Sequence, residues 1–91
     1  MRLYKVINID QVWDNICKHE GDTFSTVRNI PFGYVVYDDY ILINNDKRRK
    51  ISKSALNKAL NINEPTPSKI LKEGIWGPSY VYGIITDHRI L

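Results

Sequence analysis

Ser52-Lys53-Ser54-Ala55-Leu56-Asn57-Lys58-Ala59-Leu60-Asn61-Ile62-Asn63-Glu64-Pro65-Thr66-Pro67-Ser68-Lys69-Ile70-Leu71-Lys72-Glu73-Gly74 reads as two short helices joined by a tight connection. Ser52 is a good N-cap, because its hydroxyl can accept from the unpaired N–H groups of a first helical turn. Ala55, Leu56, Ala59 and Leu60 then fall at i, i+1, i+4 and i+5, an apolar face at helical period. Asn61 suits a left-handed exit. Pro65 and Pro67 forbid one continuous helix, since proline lacks the donor and collides with the preceding turn. Proline is nevertheless favoured at the first helical position, so Thr66 as cap and Pro67 as first residue predict a second helix ending at Gly74.

Upstream, Arg2 to Ile9 is β-favouring and predicts a strand, with Asp10 capping a helix near residues 11–20. Val12, Trp13, Ile16 and Cys17 make the apolar stripe of that helix, and Gly21 its stop. Thr23 to Val27 predicts a short strand closed by Pro31. Tyr34-Val35-Val36-Tyr37 and Tyr40-Ile41-Leu42-Ile43, separated by Asp38-Asp39, predict a hairpin. Downstream, Ser79-Tyr80-Val81-Tyr82-Gly83-Ile84-Ile85-Thr86 predicts a closing strand. The expected order is β-α-β-β-β-α-α-β. No repeat or flexible linker divides the 91 residues, so one α+β domain is expected over 1–91. Its antiparallel sheet would carry a helix-turn-helix-like pair, with residues 47–74 forming a basic helical hairpin.

Charge is divided along the chain. Residues 1–46 hold four basic and seven acidic groups, whereas residues 47–91 hold nine basic and three acidic. Between Lys47 and Lys72 eight basic residues are opposed only by Glu64. Such asymmetry favours a polyanion-facing side, which in a cytosolic setting points to nucleic acid. That setting follows from a single cysteine, no apolar run of about 18 residues and no secretory signal at the N-terminus. The alternative reading of the same lysines is a solvated loop.

A helix-turn-helix needs one helix packed across another whose outer face meets the major groove. The second helix would offer Thr66, Ser68, Lys69 and Lys72, the hydroxyls to phosphates or base edges and the lysines to backbone charge. Lys47, Arg48, Arg49, Lys50, Lys53 and Lys58 would form an adjoining phosphate-contacting surface. Residues 34–84 resemble the small helix-turn-helix modules attached to homing endonucleases and related phage nucleases. The resemblance rests on Tyr37-Asp38, Ser52-Lys53-Ser54-Ala55-Leu56, Ala59-Leu60-Asn61-Ile62, Thr66 to Gly74, and the aromatic close from Tyr80 to Ile84. It implies duplex DNA binding without catalysis, in a protein of phage or mobile-element type. The chain departs from the pattern in the spacing of Ser52 to Ala55, one residue tighter, and in Asn57 at the packed crossing.

Other chemistries are poorly served. Cys17 and His19 diverge on one helix and His88 is distant in sequence, so no zinc set is expected, and no cofactor is implied. Cys17, on the apolar stripe, is expected to be a buried, inert thiol. Asp38, Asp39 and Asp46 lack the following lysine step of an acidic metal-dependent nuclease, and Ser79 lacks the glycine of a nucleophile elbow. Trp76, Tyr80 and Tyr82, interleaved with Gly74, Gly77 and Gly83, could stack on bases, or could equally be core and strand residues. Two alternatives to the DNA-binding reading stand. One is a protein-binding inhibitor or adaptor from a mobile element. The other is a small metal-free ribonuclease toxin using Lys47 to Lys50 with Tyr82, His88 and Arg89.

Overall fold

The structure is a computed structural model and describes residues 8–44 and 49–91. Its elements run α1 Ile9–Lys18, β1 Phe24–Ser25, β2 Pro31–Phe32, β3 Tyr34–Val36, β4 Tyr40–Ile43, β5 Lys50–Ser52, α2 Lys53–Leu60, α3 Pro67–Lys72 and α4 Pro78–Ile85. Among the described residues, four helices and two small antiparallel sheets make a single α+β domain, as expected. The order differs from expectation by two added strands, β2 and β5, and by its last element, a helix where a strand was expected. Most of the opening strand falls on residues outside those described, but Ile9 is already helical. Asn8, rather than Asp10, is the cap: its side chain accepts from the Asp10 N–H at 2.8 Å.

α1 buries Val12, Trp13 and Ile16, spaced as the stripe requires, whereas Cys17 is exposed. The expected buried thiol is therefore corrected. Partial desolvation, reinforced by the Asp14 and Glu20 carboxylates, pushes its pKa up. That keeps it protonated and a poor nucleophile. Tyr34 ties the end of α1 to β3. Its buried hydroxyl donates to the Ile16 carbonyl oxygen at 2.6 Å, partnering one of the acceptors that a helix end leaves without an intrahelical donor. Burial raises the Tyr34 phenol pKa well above its usual value.

Phe24 pairs with Phe32 and Ser25 with Pro31 in the two-stranded sheet. Pro31 thus sits within a strand instead of merely closing one, at an edge where its missing donor is tolerated. The hairpin of β3 and β4 turns at Asp38-Asp39 as its two β-rich runs predict, with the Tyr37 N–H donating to the Tyr40 carbonyl at 2.9 Å. β5 is an addition to the expected order. It pairs antiparallel with β4 through Leu42 and Lys50, Ile41 and Ile51, and Tyr40 and Ser52. Ser52 then caps α2 by accepting from the Ala55 N–H at 3.0 Å.

α2 and α3 begin where the capping signals place them, although Asn61 leaves α2 in right-handed conformation with φ −87°. The left-handed residue of that connection is Glu64, at φ 53°. The largest correction concerns residues 79–86. Residues 79–85 lie in helix α4 (Pro78–Ile85) and Thr86 is its C-cap, so the expected strand is a helix. Pro78 stands at the first helical turn, and Val81, Ile84 and Ile85 recur at i, i+3 and i+4 inside the core. A helix apolar on nearly every side is one buried by its neighbours. β1 lies so close to α4 that a Cβ on Gly83 would sit 2.5 Å from the Ser25 carbonyl oxygen. The main packing partner of α3 is α4, while α2 packs on α1, β5 and α4. The helical pair therefore rests on a third helix. One core results, joining Ile16, Phe24, Tyr34, Ile41, Leu56, Ile70 and Ile84 from both sheets and all four helices. Among the described residues no helix is long and apolar enough to cross a membrane.

Candidate functional site

Of the basic run, Lys47 and Arg48 lie outside the described residues; Arg49 and Lys50 lead into β5. Alternation along a strand sends neighbouring side chains to opposite faces. The Arg49 guanidinium lies over the Trp76 ring, 4.9 Å from its centroid. The Lys50 ammonium lies over the Tyr40 ring at 4.7 Å, a diagonal cross-strand contact from β5 to β4. Each ring is backed by a second one. Trp76 stacks on Tyr80 at 5.8 Å and 17°, and Tyr40 on Tyr37 at 4.9 Å and 12°. Arg49 and Lys50 accordingly belong to two cation–aromatic stacks rather than to one patch.

Farther along, Lys53 bonds the Asp10 carboxylate at 3.0 Å and lies over Trp13 at 5.7 Å. Lys58 reaches from α2 to the Glu73 carbonyl oxygen at the end of α3, 3.3 Å away. It stands in a shallow polar groove with Ser54, Asn57, Asn61, Ile62 and Glu73. On α3, Thr66 accepts from the Lys69 N–H at 3.2 Å, so its hydroxyl is the helix cap. The Lys69 ammonium donates to the Asn63 and Glu64 carbonyl oxygens, both at 3.0 Å, and holds the left-handed turn at Glu64. Ser68 and Lys72 are exposed, as is Leu71 at 61%. Thr66 and Lys69 thus have local structural duties, while Lys58 joins the two helices.

Arg49, Lys50, Lys58, Lys69 and Lys72 are all exposed. Among the described residues none of them is within ion-pair distance of a carboxylate. Among the described residues, ion pairs join Lys53 to Asp10 and Arg89 to Asp22 and Asp87, and His19 hydrogen-bonds Asp22. Among the described residues, positive charge between positions 49 and 72 is compensated only at Lys53. A cation–ring contact leaves the charge in place, so Arg49 and Lys50 remain available to an anion.

Tyr82, His88 and Arg89, grouped in the ribonuclease alternative, line a separate cleft with Thr23, Ser25 and Thr86. Arg89 is consumed there. It bonds both Asp87 carboxylate oxygens at 2.9 Å and the Thr23 carbonyl at 2.9 Å, and covers Phe24 at 4.1 Å. The Arg89 hydrogen bond holds the Asp87 carboxyl below the ordinary carboxylate range, against the opposing effect of burial. Arg49 and Lys50 stack elsewhere, on Trp76 and Tyr40. Among the described residues no cluster of three or more His, Cys, Asp or Glu side chains is placed to hold a metal ion.

The stacks on Trp76 and Tyr40 are the feature that sequence reasoning does not reach. The aromatics between Gly74 and Gly83 stand out in the sequence, but their pairing with Arg49 depends on β5 and α4, which sequence patterning does not reveal. Compared with protein-family models, with curated proteins and with solved structures, the chain matches none.

Proposed function

We propose that this chain is a non-enzymatic nucleic-acid-binding domain acting in the cytoplasm, with duplex DNA favoured over RNA. Its phosphate contacts come from the basic segment 47–72, Arg49 and Lys50 reaching from opposite faces of β5. The supporting observation is that Arg49, Lys50, Lys58, Lys69 and Lys72 are exposed without a carboxylate partner among the described residues. Uncompensated cations attract a polyanion by releasing its condensed counterions, a sequence-independent contribution that weakens with salt. Ser68 and Lys72 supply the outward face of α3. α3 has only six residues and rests on α4, which favours backbone contact over deep reading of a groove.

The test is fluorescence anisotropy with random duplex DNA, single-stranded DNA and structured RNA at two salt concentrations. Binding should fall steeply with salt. A Lys50→Ala, Lys58→Ala, Lys72→Ala variant should lower the salt slope by roughly 1 for each phosphate that it no longer neutralises. No binding to any of the three, or an unchanged slope in the folded variant, refutes the reading. A protein-binding adaptor is the second reading. It is favoured by Val27 and Ile30, 56% and 53% exposed in the connection between β1 and β2.

A further inference from the structure

We infer that Trp76 is a stacking site for one unpaired nucleobase, and that Arg49 covers its ring until the base arrives and then takes the adjoining phosphate. This rests on the nucleic-acid-binding reading and adds to its duplex contacts a site for a base that is not paired.

Among the described residues, the Trp76 ring meets two unlike groups. One is Tyr80 at 5.8 Å, and Tyr80 meets Phe32 edge-on at 5.0 Å with an interplanar angle of 82°. Phe32 is buried and lies 6.0 Å from Phe24, so the backing continues into the core. The other partner of Trp76 is Arg49, an exposed side chain in contact through its guanidinium. The indole is half-buried against the core, with the Tyr80 ring stacked on it and an exposed, displaceable cation over it.

The backbone supports the same geometry. Gly77 follows Trp76 in left-handed conformation, φ 67°, and Pro78 starts α4 immediately. The Tyr80 ring lies 3.3 Å from where a Gly77 Cβ would be, so the turn, the indole and the tyrosine are packed as one piece. A preformed aromatic platform stacks any base, because every base has a π face.

Stacking of a base on an aromatic face outweighs an exposed cation–ring contact, so exchange of the Arg49 guanidinium for a base is favourable. The displaced guanidinium then gains a charge-assisted bond to phosphate. Bases within a duplex are already stacked on one another and cannot use the platform unless they are unpaired or extruded. Single strands, bulges and frayed ends are therefore the preferred ligands at this position.

The experiment uses the full chain carrying Trp13→Phe, so that emission reports Trp76 alone; Trp13 is the other tryptophan and is only 8% exposed. The probes are oligothymidylate of about eight nucleotides, a blunt duplex of the same length, and inorganic polyphosphate as a charge-only ligand. Oligothymidylate should quench the emission strongly. In titration calorimetry of the chain that keeps Trp13, Trp76→Leu should weaken oligothymidylate roughly tenfold while leaving duplex and polyphosphate within about twofold, and Trp76→Tyr should restore most of the affinity. Oligothymidylate binding without quenching, or undiminished binding by Trp76→Leu, overturns the inference. So does binding of duplex and polyphosphate alone, which leaves the basic-surface reading intact. Absence of binding by all three probes removes both. If Trp76→Leu fails to fold, quenching in the Trp13→Phe protein and retention by Trp76→Tyr decide the matter.

Discussion

Replacing Gly83 by alanine is expected to destabilise the domain, against the usual preference of helices for alanine. In an open helix interior that exchange gains about 1 kcal/mol. Here the new Cβ would lie 2.5 Å from the Ser25 carbonyl oxygen and 3.3 Å from the Phe32 ring. Neither neighbour can withdraw easily: Ser25 is paired with Pro31, and Phe32 is buried in the core. Overpacking costs about 1–3 kcal/mol, and a clash against backbone belongs near the upper end. Subtracting the helical preference leaves a net loss of about 2 kcal/mol. At about 4–8 °C per kcal/mol for a domain of this size, the melting temperature should fall by roughly 8–16 °C. Urea denaturation followed by far-ultraviolet circular dichroism, with parallel thermal melts, measures both. Gly74→Ala is the comparison, since φ there is 78° but the Cβ position is open. It should lose only the left-handed backbone preference, about 1 kcal/mol. A urea midpoint for Gly83→Ala equal to or above that of the unsubstituted protein would refute the close seating of α4 on β1.

Three further outcomes are expected. Tyr34→Phe removes the buried hydroxyl that donates to the Ile16 carbonyl at 2.6 Å and should cost about 1–2 kcal/mol in urea denaturation; undiminished stability would mean that water replaces the hydroxyl. Thr66→Ala should cost about 1 kcal/mol by removing the α3 cap, with nucleic-acid affinity unchanged in the folded protein. Reduced affinity at undiminished stability would instead mark Thr66 as a nucleic-acid ligand. Asp87 has a folded-state pKa below the ordinary 3.8, chiefly through Arg89, so its contribution is present above about pH 4 and disappears as the pH falls further. Asp87→Asn should therefore flatten the stability curve below about pH 4, and an unaltered acid limb would show that the pair contributes nothing.

The parts of the fold legible in the sequence are those set by short-range chemistry. Ser52 and Thr66 cap their helices because each hydroxyl is placed before a first turn, and Pro67 begins α3 because its ring suits that position. The stripe of α1 and the hairpin at Asp38-Asp39 follow from periods of 3.6 and 2. α4 reads as a strand because burial on nearly all sides erases the amphipathic signal, leaving Tyr80-Val81-Tyr82 to look β-favouring. The decisive local sign is Pro78 at the first turn, the same sign that marks the start of α3 at Pro67. β5 escapes sequence patterning because three residues with one buried side chain, Ile51, give too short an alternation inside a charged run. At the candidate site, exposure of the lysines follows from their charge, but which carbonyl or ring each one meets does not. Lys69 reaches Asn63 and Glu64 only because α3 turns back over that loop, and Arg49 reaches Trp76 only across elements distant in sequence.

The double service of Ser52 bears on how the basic surface responds to load. It is the last residue of β5, opposite Tyr40, and also the cap of α2; the next N–H, of Lys53, donates to the Asp39 carbonyl at 2.8 Å. Strand and helix meet with no linker, so no hinge lies between them. A shift of β5 at Arg49 or Lys50 is expected to carry the start of α2 with it, because the Ser52 cap and the Lys53 N–H bond tie the two. For the same reason a single residue inserted after Ser52 would uncouple the sheet register from the helix start, whereas an insertion at the Asp38-Asp39 turn would only lengthen a loop.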